Sequence, residues 1–567
     1  MMTMEFVPDL VLRNGKVVTV DPEFSVQQAV AVFDGKIVAV GSDSDVTDLA
    51  GRRTRVVDLK GKCVVPGQYD NHVHSILAGL DALGSKAKVD IATLPSIEDI
   101  LTAIKKRADV TPKGEWIGTS CMYRGALKEG RFPTREDLDK VSTEHPIYIF
   151  QSGKNVIANS YALRIAGINK DTPNPVEPEG WIARDATGNP TGHLIAGAGD
   201  LARKAWWRAL GQPVKKWDFL YFDQETQIEA IRAQQAIYHS CGIVGIREMG
   251  VSVDELDSFI EAHRRGVLNM RSDIILGLPL RYLSQEEIAT ALQKYFGPKQ
   301  HLGDAMLKIG GIKLVVVNDG WWAYSREKLR FLIVEINRQG WHMAIHCNTG
   351  GGDEAVAAVL DCLEETNKER PLAGRRITFE HGFGLTNADI VARANALGIV
   401  LGANPLLAYY ASARSMRMNE IMTQVRIAKV VEPDAWKRTV RDWGLPLRDW
   451  FEAGAKITGG TDNPAVVYDP QRPFLCQYSA LTGATLAGTL LPGQGISREQ
   501  MLRMFTINNA YARWQEGILG SIEVGKYADF VVLNTDILEC PDEAVKDIQV
   551  LETYIDGRLV FENTNLP

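Results

Sequence analysis

The sequence predicts an α/β protein: a (β/α)₈ barrel with a composite β-sandwich built from both chain ends and a long insertion after the first barrel strand. Three observations lead there. Eight short apolar runs alternate with helix-like stretches through the middle of the chain, hairpin-rich β segments occur at both termini, and several of the apolar runs end in histidine or aspartate.

The N-terminal residues read as strands joined by tight turns. Residues 9–13 and 16–20 flank Asn14-Gly15, and residues 29–33 and 36–41 flank Asp34-Gly35. These dipeptides tolerate the positive φ of a two-residue hairpin turn, which makes them strong local signals. The pattern returns at the other end, where 550–555 and 558–561 flank Asp556-Gly557 after the apolar run 528–533. Each fragment alone would leave an apolar face in water. Residues 1–60 and 520–567 are therefore expected to share one core.

Residues 61–519 are expected to form the barrel, with strands at 63–69, 243–248, 271–280, 307–317, 341–347, 376–380, 398–403 and 455–460. Short apolar runs separated by helix-length segments fit a parallel sheet covered by helices. The interval 76–242 is too long for one βα connection and reads as an α/β insertion. It holds helix-like pieces at 96–108 and 224–239, a strand at 146–150, and Trp206, Trp207 and Trp217 as packing or pocket-lining aromatics.

Composition narrows the function classes. With 63 Lys+Arg against 70 Asp+Glu the net charge is -7, and no basic stripe offers a footprint for nucleic acid. The first ten residues lack the basic and apolar regions of a signal peptide, and no uncharged apolar run reaches the about 18 residues of a membrane span. The expectation is a soluble cytoplasmic protein acting on a small molecule, with a homodimer as one admissible assembly. Seven scattered cysteines without a CxxC pair fit small buried hydrophobes, with Cys347 set apart because it follows His346.

His72 and His74 follow the first apolar run. Alternate residues of an extended chain share a face, so the two imidazoles can converge on one ion. The pair alone is a weak signal. Weight comes from His346 and His381 at the ends of later runs and from Asp462 after Gly459-Gly460-Thr461, because a barrel gathers its strand ends at one mouth. Asp462 read alone has an Asx turn or helix cap ahead of Pro464 as its competing reading. Lys313 lies within an apolar run, where a buried ammonium needs a partner such as Asp319, a path to water, or a chemical reason.

Together these residues resemble the amidohydrolase superfamily, in its branch of imidazolonepropionase-like and N-substituted formamide deformylase-like proteins. The resemblance spans nearly the whole chain, from Pro66-Gly67-Gln68-Tyr69-Asp70-Asn71-His72-Val73-His74 through the strand lysine, the two later histidines and Asp462 to Gly520-Ser521-Ile522-Glu523-Val524-Gly525-Lys526-Tyr527-Ala528-Asp529. It implies that His72, His74 and Asp462 hold one divalent metal and that His346 and His381 hold or border a second. Lys313 matches the lysine that in many such enzymes is carboxylated by CO₂ and bridges two ions. Zinc is the default ion, in one or two copies. The chain departs from the branch's pattern at Ser152-Gly153-Lys154, at Gly192-His193-Leu194-Ile195-Ala196, which lacks an expected acid, and after Cys347.

The resemblance implies hydrolysis of a carbon–nitrogen bond in a small amide, N-substituted formamide-like or aromatic. An activated water attacks, Asp462 takes its proton, and Lys154 or His193 helps to orient the carbonyl. Trp321, Trp322, Tyr409 and Tyr410 on strand-end loops are candidates for recognising an apolar or aromatic group, with loop packing as the competing reading. Lys154, Arg247 and Arg414 are candidate carboxylate binders. Deamination of a cyclic amidine, metal-assisted decarboxylation and an inactive barrel scaffold are the alternatives.

Overall fold

A computed structural model describes residues 7–83, 89, 91, 94–121, 127–129, 131–152, 155–176, 179–209, 223–296, 302–318, 321–347, 352–410, 444–464, 472–486 and 488–564. Eight parallel strands pair in chain order: β1 (Gln68–Val73), β2 (Ile243–Val251), β3 (Arg271–Leu276), β4 (Leu307–Val315), β5 (Met343–His346), β6 (Thr378–His381), β7 (Val400–Ala403) and β8 (Ile457–Gly459). The sheet closes through a parallel bridge between Val73 and Asn463, where Asp462 N donates to His72 O and His74 N donates to Asn463 O, each at 2.8 Å. The expected barrel is present.

Amphipathic helices cover the strands. Arg326–Arg338 shows the logic: the Ser325 hydroxyl accepts from Lys328 N to cap the start, and Leu329, Leu332, Ile333 and Ile336 recur at helical spacing on the buried face. These side chains join a single core with the outward faces of the strands.

The run predicted as the first barrel strand, 63–69, is two strands in different sheets. Cys63–Pro66 pairs with Lys16–Val18 and with Phe530–Leu533, while Gln68–Val73 begins the barrel. The chain changes sheets at Gly67, whose N–H donates to Asp529 O at 2.9 Å and where a Cβ would lie 2.4 Å from Val244 Cγ2. An apolar run carries no mark of such a transfer, because both halves are buried.

Beyond the barrel, a four-stranded sheet (Lys36–Gly41, Ala29–Phe33, Leu10–Arg13, Arg55–Asp58) faces a six-stranded one that mixes both termini (Arg558–Glu562, Val550–Ile555, Phe530–Leu533, Cys63–Pro66, Lys16–Val18, Val26–Gln27). Leu10, Leu12, Val30 and Val32 of the first pack on Val17, Val64, Phe530, Val532 and Tyr554 of the second. Asp34 and Asp556 have positive φ and turn true hairpins, as the sequence signals require. Asn14 also has positive φ, but the expected hairpin at Asn14-Gly15 is not formed: Leu10–Arg13 and Lys16–Val18 lie in different sheets, and the turn carries the chain from one to the other.

The insertion folds around a five-stranded sheet ordered Gly180–Arg184, Pro190–Ala196, Asn155–Ala158, Ile147–Ser152, Ile117–Cys121. Ile147 and Ile149 feed a core with helix Ile97–Ala108, whereas Tyr148 faces a second core with Val156, Leu163 and Leu194. Sequence periodicity found one of these strands and the two helices Ile97–Ala108 and Gln224–Ser240. The remaining strands are short, and three of the four contain glycine or proline. Among the described residues no helix is long and apolar enough to cross a membrane.

Candidate metal centre

The C-terminal ends of β1, β4, β5 and β6 and the segment after β8 deliver His72, His74, Lys313, His346, His381 and Asp462 to one region. Ring centroids of His72 and His381 are 4.7 Å apart, those of His346 and His381 4.3 Å, and those of His72 and His74 5.7 Å. Ligand atoms of His72, His381 and Asp462 all lie within 4.8 Å of one another. Lys313 Nζ stands 3.3 Å from His72 Nε2, and His381 Nε2 is 2.8 Å from His346 Nδ1.

Backbone geometry builds this convergence. In a regular strand Thr378 and Glu380 share a face and His381 takes the opposite one. His381 has φ 80° and Asp462 has φ 58°, left-handed conformations that cost a non-glycine residue about 1–3 kcal/mol each. The unusual φ lets His381 join the same site as its neighbour Glu380. At Gly460 a Cβ would sit 2.8 Å from His72 N, so only glycine lets the last strand approach the first this closely.

Each of three imidazoles has an acceptor at Nδ1. His72 meets Glu380 Oε2 at 2.7 Å, His74 meets Met249 O at 2.9 Å and His381 meets Asn404 Oδ1 at 2.9 Å. A carboxylate, a carbonyl and an amide oxygen can only accept, so Nδ1 carries the proton and Nε2 is left with its lone pair. The Nε2 atoms of His72 and His74 face Asp462 Oδ1 at 3.6 and 3.4 Å. That oxygen is buried and has no hydrogen-bond partner.

Electrostatics favour neutral imidazoles beside an ionised acid. Burial opposes ionisation of Asp462, but His72, His74 and His381 hold its carboxyl far below the usual range. Burial pushes His381 down to about 3, with the neighbouring His72 and Lys313 adding to the effect. Burial and then Lys313 lower His72. Lys313 is itself lowered by burial, against the pull of Glu380 and Asp462. Asp70 is pushed up to about 7 by burial, while it accepts from Thr461 N at 2.9 Å and Thr461 Oγ1 at 2.6 Å and so ties the segment before Asp462 to β1. Neutral nitrogen donors around an orphaned carboxylate oxygen fit a borderline divalent cation.

The other sequence candidates lie elsewhere or only border this region. His193 is in the insertion sheet, beside the Phe132 ring at 5.9 Å and bonded to the Pro133 backbone; burial pushes it down to about 4. Trp322 follows β4; Glu179 of the insertion donates its N–H to Trp322 O at 3.0 Å, and Arg326 lies 3.4 Å over the ring. Tyr409 and Tyr410 follow β7 as an edge-on pair 5.2 Å apart, half-buried against the barrel core. Arg247 sits inside the barrel against Asp273 and His342. Cys347 is buried and its thiol is pushed well up by that burial. Lys154, Trp217, Asp319, Arg414 and the side chains of Trp206, Trp207 and Trp321 lie outside the described residues.

Sequence reasoning missed Glu380, Asn404 and the Met249 carbonyl. Glu380 carried a usable signal: an acid inside an apolar strand raises the same burial problem that singled out Lys313. Asn404 and a backbone carbonyl carried none, since their role exists only once β2 lies beside β1 and β7 beside β6.

Residues 55–561 match the model of a family described as the amidohydrolase family. The chain is 28% identical over 580 residues to an N-substituted formamide deformylase of Arthrobacter pascens, covering 98% of this chain and 99% of that protein. It is 25% identical over 591 residues to the protein LONG AFTER FAR-RED 3 of Arabidopsis thaliana, covering 98% and 92%. The crystal structure of an uncharacterized metal-dependent hydrolase from Pyrococcus furiosus superposes with a TM-score of 0.63 at 21% identity, covering 94% of this chain and 100% of that one, a likeness of fold.

Proposed function

The chain belongs to the amidohydrolase family, and from that premise we propose that this metal-dependent hydrolase of carbon–nitrogen bonds acts on a small amide of the N-substituted formamide or aromatic amide kind. The reading is carried by one observation: ligand atoms of His72, His381 and Asp462 converge within 4.8 Å at one end of the barrel, with Asp462 Oδ1 buried and without a hydrogen bond. The full-length similarity to an N-substituted formamide deformylase supports the substrate class.

In this reading His72, His74 and Asp462 hold one ion, zinc by default, and His346 and His381 hold or border a second. Lys313, its amine disfavoured as a buried ammonium, is the residue that CO₂ would carboxylate, giving a carbamate and a released proton. A bound divalent ion supplies Lewis acidity that lowers the pKa of water and polarises the carbonyl. Asp462, ionised and hydrogen-bonded through its backbone to His72, accepts the proton of the attacking water and returns it to the leaving nitrogen. Trp322, in the short strand Trp321–Trp322 after β4, and Tyr409 and Tyr410, in the helical segment 405–410 after β7, offer aromatic surface to the amide's substituent.

The test is metal analysis of the purified protein followed by assays on N-substituted formamides, aromatic amides, a cyclic amidine and an aromatic carboxylate, with and without chelator. Formate or carboxylate release with free amine, lost with chelator and restored by zinc, is the expected result. Ammonia from the amidine alone makes it a deaminase, and CO₂ from the carboxylate a decarboxylase. Neither bound metal nor turnover would leave a scaffold.

A further inference from the structure

Glu380 is fully buried in β6, one residue before His381, and its two oxygens are held separately. Oε2 meets His72 Nδ1 at 2.7 Å, and Thr378 Oγ1 donates to Oε1 from the same face of the strand. The neighbouring strand makes room for it: a Cβ at Gly402 would lie 2.8 Å from Oε2.

The acceptors on the other two imidazoles are neutral, a backbone carbonyl for His74 and an amide for His381. Of these three Nδ1 atoms only that of His72 meets a carboxylate among the described residues, and a charge-assisted bond of this kind is roughly twice as strong as a neutral one. Burying an anion is unfavourable unless it is paired, so a carboxylate where an amide would fill the same space calls for a reason tied to its charge.

We propose that Glu380 is a positioning residue that acts through His72, using its negative charge to fix the ring and make Nε2 the strongest nitrogen donor to a divalent cation. The proposal rests on the metal-centre reading above. It assigns Thr378 and Gly402 a shared task, orienting and accommodating that carboxylate, and it makes His72 unequal to His74 and His381.

The experiment uses the full chain and compares wild type with Glu380→Gln, which keeps the shape and an acceptor but loses the charge, and Thr378→Val, which keeps the charge but frees Oε1. Zinc affinity is read by competition with a chromogenic chelator, and the ligand field by the visible spectrum of the cobalt-loaded protein. Glu380→Gln is expected to bind zinc about 10–100-fold more weakly, with altered cobalt bands. Thr378→Val should shift both readouts the same way by a smaller factor. Wild-type affinity and an unchanged cobalt spectrum in Glu380→Gln overturn the proposal while leaving the metal centre standing. A wild-type chain that takes up neither ion removes the metal centre itself, and this role with it.

Discussion

The barrel buries charge at both ends, and the two ends use it differently. At the end facing the β-sandwich, Arg271 of β3 donates from Nη2 to Asp529 at 2.8 Å and to Asp556 at 2.6 Å, and its Nε also bonds to Asp529, whose Oδ2 accepts from Tyr69 OH of β1 at 2.9 Å. The guanidinium also covers the Tyr527 ring at 4.5 Å. Here a long flexible cation meets its carboxylates directly, while Arg513, 5.2 Å over the Tyr69 ring, is buried with no hydrogen bond from its guanidinium among the described residues. At the mouth the groups, Lys313 apart, are short and rigid, His72, His74 and His381 are each oriented from behind, and Asp462 Oδ1 is left without a hydrogen bond. The lesson is that a buried polar cluster satisfied from within fastens parts of the fold together, whereas one satisfied only from behind presents donors to a ligand.

The largest effect is expected where that open face is removed. Asp462→Asn should lower turnover about 10²–10⁴-fold, measured as kcat on the responsive amide, with an unchanged thermal midpoint for the metal-free protein. An unchanged kcat would break the distinction between the two ends. At the opposite end, Arg271→Ala leaves Asp529 buried without its cation and should destabilise the fold by about 3–5 kcal/mol in denaturant unfolding, with kcat of the folded fraction retained. A loss of kcat without a loss of stability would reverse the assignment.

Stripping metal with chelator should lower Tm, and free zinc at about 1,000 times its Kd should restore about 4 kcal/mol, since only the folded mouth brings its ligands together. A Tm insensitive to zinc would remove the mouth's claim to be a binding face. The smallest effect belongs to a buried histidine outside both networks. His193 has its pKa pushed down to about 4 from an ordinary 6.5, so between those values the unfolded chain binds the extra proton. Its contribution is fully present above about pH 6.5 and is lost as pH falls toward 4, at up to about 1.4 kcal/mol per pH unit. His193→Phe should flatten the acid side of the stability profile and leave kcat near neutral pH unchanged; a steep fall in kcat would move His193 into the site.

Legibility in the sequence followed the range of the forces involved. Seven of the eight expected strand runs each match one barrel strand, five enclosing it and two, 243–248 and 376–380, stopping short of Val251 and His381, because each is a continuous apolar segment buried on both faces. The exception, 63–69, failed because burial is equal on both sides of Gly67 while the pairing partners change. Lys313 was found through its cost in an apolar run, and Glu380 was open to the same reasoning. Asn404, an ordinary polar residue after an apolar strand, gave no sign of its bond to His381.

What the chain's own order of residues determined was local and periodic: apolar runs of strand length, hairpin dipeptides with positive φ, and histidines two apart at a strand's end. Those depend on interactions between near neighbours and can be read one segment at a time. Tertiary structure decided which face His381 takes, through a φ of 80°. It also decided that Glu380 stands behind His72, 308 residues away, and that Asp462 meets the first strand across the closing seam. Such contacts arise only when the cylinder closes, because closure sets distant strand ends side by side, and no spacing along the chain encodes that distance.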